Sequence, residues 1–177
     1  HSYFNLGGET AWDVLGHVLR IDADAYLPVD EGLIPTGERR SVLGTAFDFR
    51  RPISIGSRIG ARDEQLLRGK GYDHNFILNG GDADAPSLRL AARVFEPMSG
   101  RAMEVFTTEP GLQLYAGGAL DGSCVGKGGR AYGPHAGLCL ETQGFPDAPN
   151  HPDFPSARLD PGETRRSTTI YRFTTEP

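Results

Sequence analysis

Glycine and proline occupy about one position in five of this chain, 24 and 13 among 177 residues, against about 12% in an average protein. Relative to alanine, glycine costs a helix interior about 1 kcal/mol and proline about 3 kcal/mol. That density excludes a helical bundle and leaves short segments joined by turns. Between the breakers, apolar and polar residues alternate in the manner of half-buried strands. Leu19, Ile21 and Ala23 do so, as do Leu88, Leu90, Ala92 and Val94 around Arg89 and Arg93. Met103, Val105 and Thr107 follow, then Leu112, Leu114 and Ala116, then Leu138 and Leu140, and β-branched and aromatic residues recur over 164–175. The spacing predicts an all-β architecture of antiparallel pairs, a sandwich or barrel. Two short helices are expected: one over 9–19 with Trp12, Leu15 and Leu19 on one face, and one over 61–68 ended by Gly69.

Hydrophobic residues make up 38% of the chain, enough to bury a core, and one domain is the natural prior at this length. A net charge of -5 lacks the basic footprint that nucleic acid or an anionic membrane demands. No apolar run approaches the roughly 18 residues of a membrane span, and the first residues show no signal-peptide core. Two cysteines, Cys124 and Cys139, are no disulfide framework, although whether they pair stays open. Their scarcity points to a reducing, cytoplasmic compartment, with the reservation that a removed upstream segment would carry any signal.

Pro146, Pro149, Pro152 and Pro155 recur every third residue. That is the polyproline II period, which SH3-type grooves read. The interleaved Phe145 and Phe154 favour a stiff, ordered loop packed over a sheet edge or a site.

Three motifs have chemical look-alikes. Gly126-Lys127-Gly128-Gly129-Arg130-Ala131 fits a dinucleotide-binding pattern, but Tyr132-Gly133-Pro134 stands where its helix should begin. Gly122-Ser123-Cys124-Val125-Gly126 resembles a nucleophile elbow without the helix such an elbow needs. His135 and His151 lack any metal-binding spacing, so no metal is expected.

One constellation spans the chain. His1-Ser2-Tyr3-Phe4-Asn5-Leu6 resembles the core signature of the aldose 1-epimerase (galactose mutarotase) family. Residues 17–38, Gly44-Thr45-Ala46-Phe47-Asp48-Phe49 and Gly71-Tyr72-Asp73-His74-Asn75-Phe76 resemble that family's later blocks. So do Thr107-Thr108-Glu109-Pro110-Gly111-Leu112-Gln113-Leu114-Tyr115, Gly137-Leu138-Cys139-Leu140-Glu141-Thr142-Gln143, Pro146-Asp147-Ala148-Pro149-Asn150-His151-Pro152 and Pro161-Gly162-Glu163, in family order. The resemblance implies a large antiparallel β-sandwich of the galactose mutarotase-like supersandwich type, only part of it in this chain. It implies interconversion of the α and β anomers of an aldohexose such as glucose or galactose, without a cofactor, with a small-molecule aldose as the partner and the oligomeric state left open.

That chemistry needs one base and one acid. The base takes the anomeric hydroxyl proton and the acid protonates the ring oxygen; the ring opens, the aldehyde end rotates, and closure occurs on the other face. A Glu and a His suit the task, because surroundings move either pKa toward neutrality. By resemblance the base is Glu141 and the acid is His1, Asp73 and Gln113 hold sugar hydroxyls, and Tyr3 lines the pocket. Alternation independently puts Gly137, Cys139, Glu141 and Gln143 on the face opposite Ala136, Leu138 and Leu140. His74, beside Asp73 but pointing oppositely, reads as structural, as does His17, while His151 reads as an anchor for the proline-rich loop.

Two other readings share the resemblance. One is a sugar-binding module without turnover; the other is a hexose 6-phosphate mutarotase, for which Lys127 or Arg130 is the available cation. Family members place an N-terminal half before the His-Ser-Tyr-Phe-Asn-Leu motif, including an arginine and a histidine that contact sugar. Residues 1–177 are therefore expected to form a single, N-terminally truncated domain, weakly active or inactive alone.

Overall fold

Alternating segments bounded by Gly, Pro, Asn and Asp become ten strands in the structure, a computed structural model that describes residues 1–80 and 87–176. In chain order they are β1 (Val18–Ile21), β2 (Ala23–Tyr26), β3 (Arg40–Ser41), β4 (Ile53–Ser54), β5 (Asp73–Leu78), β6 (Arg89–Glu96), β7 (Arg101–Thr107), β8 (Gly111–Tyr115), β9 (Cys139–Gln143) and β10 (Thr169–Thr175), with one α-helix, α1 (Glu64–Gly69), before β5. They form two antiparallel five-stranded sheets, ordered β10-β7-β6-β1-β4 and β3-β2-β5-β8-β9. No helix among the described residues is long and apolar enough to cross a membrane.

The sheets pack face to face. Leu19, Ile21, Val94, Met103 and Val105 from the first meet Tyr26, Phe76, Leu112, Leu114 and Leu140 from the second, each at most 1% exposed. Burying side chains of this size stabilises by about 1.5–3 kcal/mol apiece. Aromatic rings reinforce the seam, with Tyr26 stacked on Phe47 at 4.2 Å between centroids.

Alternation through Leu19, Ile21 and Ala23 is not one strand. The chain crosses between sheets at Asp22, so Leu19 and Ile21 enter the core from one side and Ala23 from the other. The helix expected over 9–19 is absent as well. The Asp13 carboxylate accepts from the Leu15 N–H at 2.9 Å, and the Val14 N–H donates to the His135 carbonyl at 2.9 Å. Those local and long-range bonds outcompete helix formation in a glycine-flanked segment, and Trp12 is left 77% exposed.

Helix α1 forms, capped at its start by Asp63, whose carboxylate accepts from the Gln65 and Leu66 N–H groups. Its left-handed terminal residue is Lys70 (φ 52°), not Gly69. Gly69 answers a different need, since a Cβ there would lie 3.2 Å from His74 Cε1 and 3.3 Å from Asp73 Cβ.

The proline-rich stretch is an ordered cover over part of the second sheet's outer face. Phe145 and Phe154 meet edge to face at 5.2 Å and, with Leu27 and Ala148, form a second small core against Ile77. A 3-10 turn at Ala148–Asn150 interrupts the extended run.

Candidate active site

Strand alternation decides which residues reach the outer face of the second sheet. On β5, His74 and Phe76 turn into the sandwich, leaving Asp73 and Asn75 outside; on β8, Leu112 and Leu114 turn in and leave Gln113 and Tyr115; on β9, Leu140 turns in and leaves Cys139, Glu141 and Gln143. Register then sorts these residues into rows. Asp73, Tyr115 and Cys139 are cross-strand neighbours; Asn75, Gln113 and Glu141 form the next row; Ile77, Gly111 and Gln143 form the third.

A fourth partner joins from far away in sequence. Phe4 and Leu138 exchange both backbone hydrogen bonds, at 2.8 and 2.9 Å. In an antiparallel pair, three residues back from Phe4 corresponds to three forward from Leu138, so His1 arrives opposite Glu141. His1 Nδ1 and Glu141 Oε1 are in direct, short hydrogen-bond contact. Asn5 fixes the approach by donating to the Ala136 carbonyl at 3.0 Å, and the Leu6 N–H donates to His17 Nε2 at 2.9 Å. His17 is thus a buried anchor for the arm. The rings of His1, Tyr3 and Tyr115 stand 5.8–6.1 Å apart and wall one end of the site.

The result is a cleft of about 240 Å³ lined by His1, Asp73, Asn75, Gln113, Glu141 and Gln143, with Leu27, Val29, Leu33, Pro35 and Pro146 as its apolar wall. Buried polar groups hold that wall. Gln65 Oε1 accepts from the Val29 N–H at 2.7 Å, Gln65 Nε2 donates to the Val29 carbonyl at 3.0 Å, and His74 Nε2 donates to the same Gln65 oxygen at 3.1 Å. On the other side, His151 Nε2 donates to the Pro35 carbonyl at 3.1 Å, tying the proline-rich cover to the loop that carries Leu33. A larger, mainly apolar cavity of about 450 Å³ lies beyond Tyr3, with Glu9 the one carboxylate among the described residues that line it.

Electrostatics separate the polar groups by role. Burial pushes the Glu141 carboxyl above the usual carboxylate range. Burial also raises Asp73; the bond that Gln113 Nε2 donates to its Oδ1 at 2.7 Å opposes the rise, and the nearby Glu141 adds to it. His74, fully buried among aromatic rings, is pushed down to about 4 by desolvation.

His1, Cys139 and Glu141 are the grouping with metal-ligand geometry among the described residues. Burial first, and Glu141 next, push the Cys139 thiol up to about 12. Both cysteines are free, Cys124 exposed and Cys139 buried.

Four of the residues nominated from the sequence, His1, Asp73, Gln113 and Glu141, line this cleft, whereas Tyr3 stands beside it, its ring 5.8 Å from that of His1, and lines the neighbouring apolar cavity. Arg130 and Lys127 do not join them. Arg130 lies 4.1 Å over the Trp12 ring and donates to the Glu9 carbonyl at 2.6 Å, and no Lys or Arg is among the described residues lining the cleft. Sequence reasoning passed over Asn75, Tyr115 and Gln143 as functional residues. Their signal was the period of two from Asp73, Gln113 and Glu141.

A profile of the aldose 1-epimerase family matches residues 1–172. The galactose mutarotases of Bos taurus and Homo sapiens are each 49% identical over 173 residues, covering 98% of this chain and 48% of the relative. The aldose 1-epimerase of Escherichia coli K12 is 44% identical over 178 residues, covering 99% and 50%. Among solved structures, an aldose epimerase homologue from C. elegans superimposes with a TM-score of 0.83 at 29% identity, covering 99% of this chain and 50% of that one. The galactose 1-epimerase of Lactobacillus acidophilus gives 0.81 at 32% identity, covering 99% and 47%. The chain spans about half the length of the curated relatives it matches.

Proposed function

This chain belongs to the aldose 1-epimerase family, and from that premise we propose that its outer-face cleft interconverts the α and β anomers of an aldohexose such as galactose or glucose. The observation that carries the reading is the His1–Glu141 contact beside the Asp73–Gln113 pair.

The chemistry follows from the groups present. Glu141, ionised but held in a desolvated setting, accepts the proton of the anomeric hydroxyl. His1, in its protonated form, donates a proton to the ring oxygen as the C1–O5 bond breaks. The electron pair of the O–H bond becomes the carbonyl π bond, and the pair of the C1–O5 bond stays on the ring oxygen. Rotation about C1–C2 exposes the other aldehyde face, and the two proton transfers run in reverse on closure. Charge and atoms balance without a redox partner. Positioned proton transfer of this kind contributes about 10²–10⁴-fold.

Asp73 and Gln113 suit a neutral polyol, offering acceptor and donor groups without a strong ion pair. Arg130, a cation available for a hexose 6-phosphate, is engaged by the Trp12 ring and the Glu9 carbonyl instead, which supports an unphosphorylated sugar. We read residues 1–177 as one domain in a cytoplasmic protein, a reading the free thiols of Cys124 and Cys139 support. The net charge of -5 supports a small sugar over a polyanion as partner. Polarimetry of freshly dissolved α-galactose tests the proposal: accelerated approach to the equilibrium rotation supports it, and sugar binding without acceleration supports a binding module instead.

A further inference from the structure

Gln143 lies two residues beyond the base on β9, and its amide makes an unusual pair of bonds. Its Nε2 donates to Asn75 Oδ1 at 3.1 Å and to Gln113 Oε1 at 3.3 Å. Gln113 in turn donates through its own Nε2 to Asp73 Oδ1 at 2.7 Å. Asn75, 2% exposed, donates through Nδ2 to the Phe76 carbonyl at 3.3 Å. Four side chains from three strands thus form one chain of donors and acceptors.

The meeting point exists because position 111 is glycine. A Cβ at Gly111 would lie 2.5 Å from Asn75 Oδ1, closer than a side-chain carbon tolerates, and a tight 3.0 Å from Asn75 Nδ2 and 3.1 Å from the Gln143 carbonyl. The gap in the third cross-strand row is where the Asn75 and Gln143 amides meet.

The chain of bonds has one consistent arrangement. Turning Gln143 over would set its oxygen against the oxygens of both Asn75 and Gln113. Turning Gln113 over would set its oxygen against the Asp73 carboxylate and its NH2 against that of Gln143. Buried and half-buried amides that face like groups leave their polar atoms unsatisfied, so each amide holds the next.

We infer that Gln143 is a positioning residue for sugar recognition: seated beside Gly111, it locks Gln113 with its NH2 toward Asp73, so that the pair presents a fixed acceptor, Asp73 Oδ2, beside a fixed donor, the second N–H of Gln113. Neighbouring hydroxyls of an aldose match that order, one donating and one accepting. The inference rests on the mutarotase reading for what the pair binds, but the locking itself is independent of turnover.

The test combines kinetics of anomer exchange with the side-chain amide NMR signal of Gln113. Gln143→Leu removes both donated bonds and is expected to raise KM for galactose about tenfold, with kcat within about threefold, because the lost order weakens ground and transition states alike. Gln143→Glu keeps the length and polarity but offers only acceptors, drawing the Gln113 NH2 away from Asp73; it is expected to raise KM further than Gln143→Leu. A residue that merely supported the sheet would show the reverse ranking. In a Gln113→Leu background both effects should vanish. Without sugar, hydrogen exchange of the Gln113 side-chain amide should be about tenfold faster in Gln143→Leu than in the parent. Equal losses with and without Gln113, a milder Gln143→Glu, or unchanged Gln113 exchange would each overturn the inference. Faster Gln113 exchange in a protein whose parent shows no turnover would leave the positioning role standing and count against turnover by residues 1–177.

Discussion

His1 Nδ1 touches Glu141 Oε1 although the two residues are 140 positions apart in the chain. The contact is produced by register: the Phe4–Leu138 pairing carries the segment 1–6 alongside β9, and His1 falls where antiparallel geometry puts it. A hydrogen-bonded pair made this way depends on the anchors of residues 1–6. Asn5→Ala removes the bond to the Ala136 carbonyl and is expected to lower kcat for anomer exchange about tenfold while leaving the KM near the parental value, measured by steady-state polarimetry.

Burial raises the Glu141 carboxyl, and a base must be ionised to act. The rate should therefore fall on the acid side around a pKa above the ordinary carboxylate value. Cys139→Ser places a more polar neighbour beside Glu141 on the same face and should move that limb to lower pH. The pH profile of kcat/KM measures the displacement, and a limb that stayed in place would show that burial beside Cys139 is not its cause.

His74 offers a stability test with a definite sign. Its folded pKa, about 4, lies below the model-peptide 6.5, so the folded state keeps it neutral while the unfolded chain takes up a proton. Its contribution is fully present above about pH 6.5 and is lost progressively as pH falls toward 4, amounting to about 3 kcal/mol at most. The difference in urea-unfolding free energy between the parent and His74→Gln should shrink over that window. A difference independent of pH would contradict the buried, neutral histidine.

Asp73 runs the other way. Burial raises its pKa, so ionising it opposes folding: the penalty is absent at low pH, where both states are protonated, and appears as pH rises through the unfolded and then the folded value. Asp73→Asn is expected to raise the thermal midpoint at pH 7 and leave it unchanged near pH 3, while weakening sugar binding. Such a trade of stability for function is common at binding sites. Calorimetry at the two pH values measures both sides of it.

Gly111→Ala should be costly for a reason that glycine's strand propensity does not predict. Alanine is ordinarily no worse in a strand, but here its methyl would collide with the Asn75 amide. A loss of about 1–3 kcal/mol in unfolding free energy is expected, together with a raised KM.

Alternation alone separated the two faces of β9 and placed Glu141 and Gln143 together, and the same period set Asp73 apart from His74. Family resemblance supplied the roles of His1 and Gln113. The crossing at Asp22 was not legible, because Leu19, Ile21 and Ala23 keep an apolar period of two through a point where the chain changes sheets. Nor was the fate of residues 9–19, where Trp12, Leu15 and Leu19 mimic a helical stripe while Asp13 and the distant His135 carbonyl claim the backbone. The amide chain through Asn75 and Gln143 stayed hidden because it depends on cross-strand register, and Gly111 looked like one more turn residue.

In the proposed reaction Glu141 and His1 exchange protons with a bound aldose. Magnetisation-transfer NMR between the α- and β-anomeric protons of galactose, with the purified protein and with its Glu141→Gln variant at equal concentration, tests it most directly. Weak exchange above the spontaneous rate is expected for the parent, and loss of that catalysed part for Glu141→Gln, with the fold intact by circular dichroism. Undiminished exchange in that variant would contradict it.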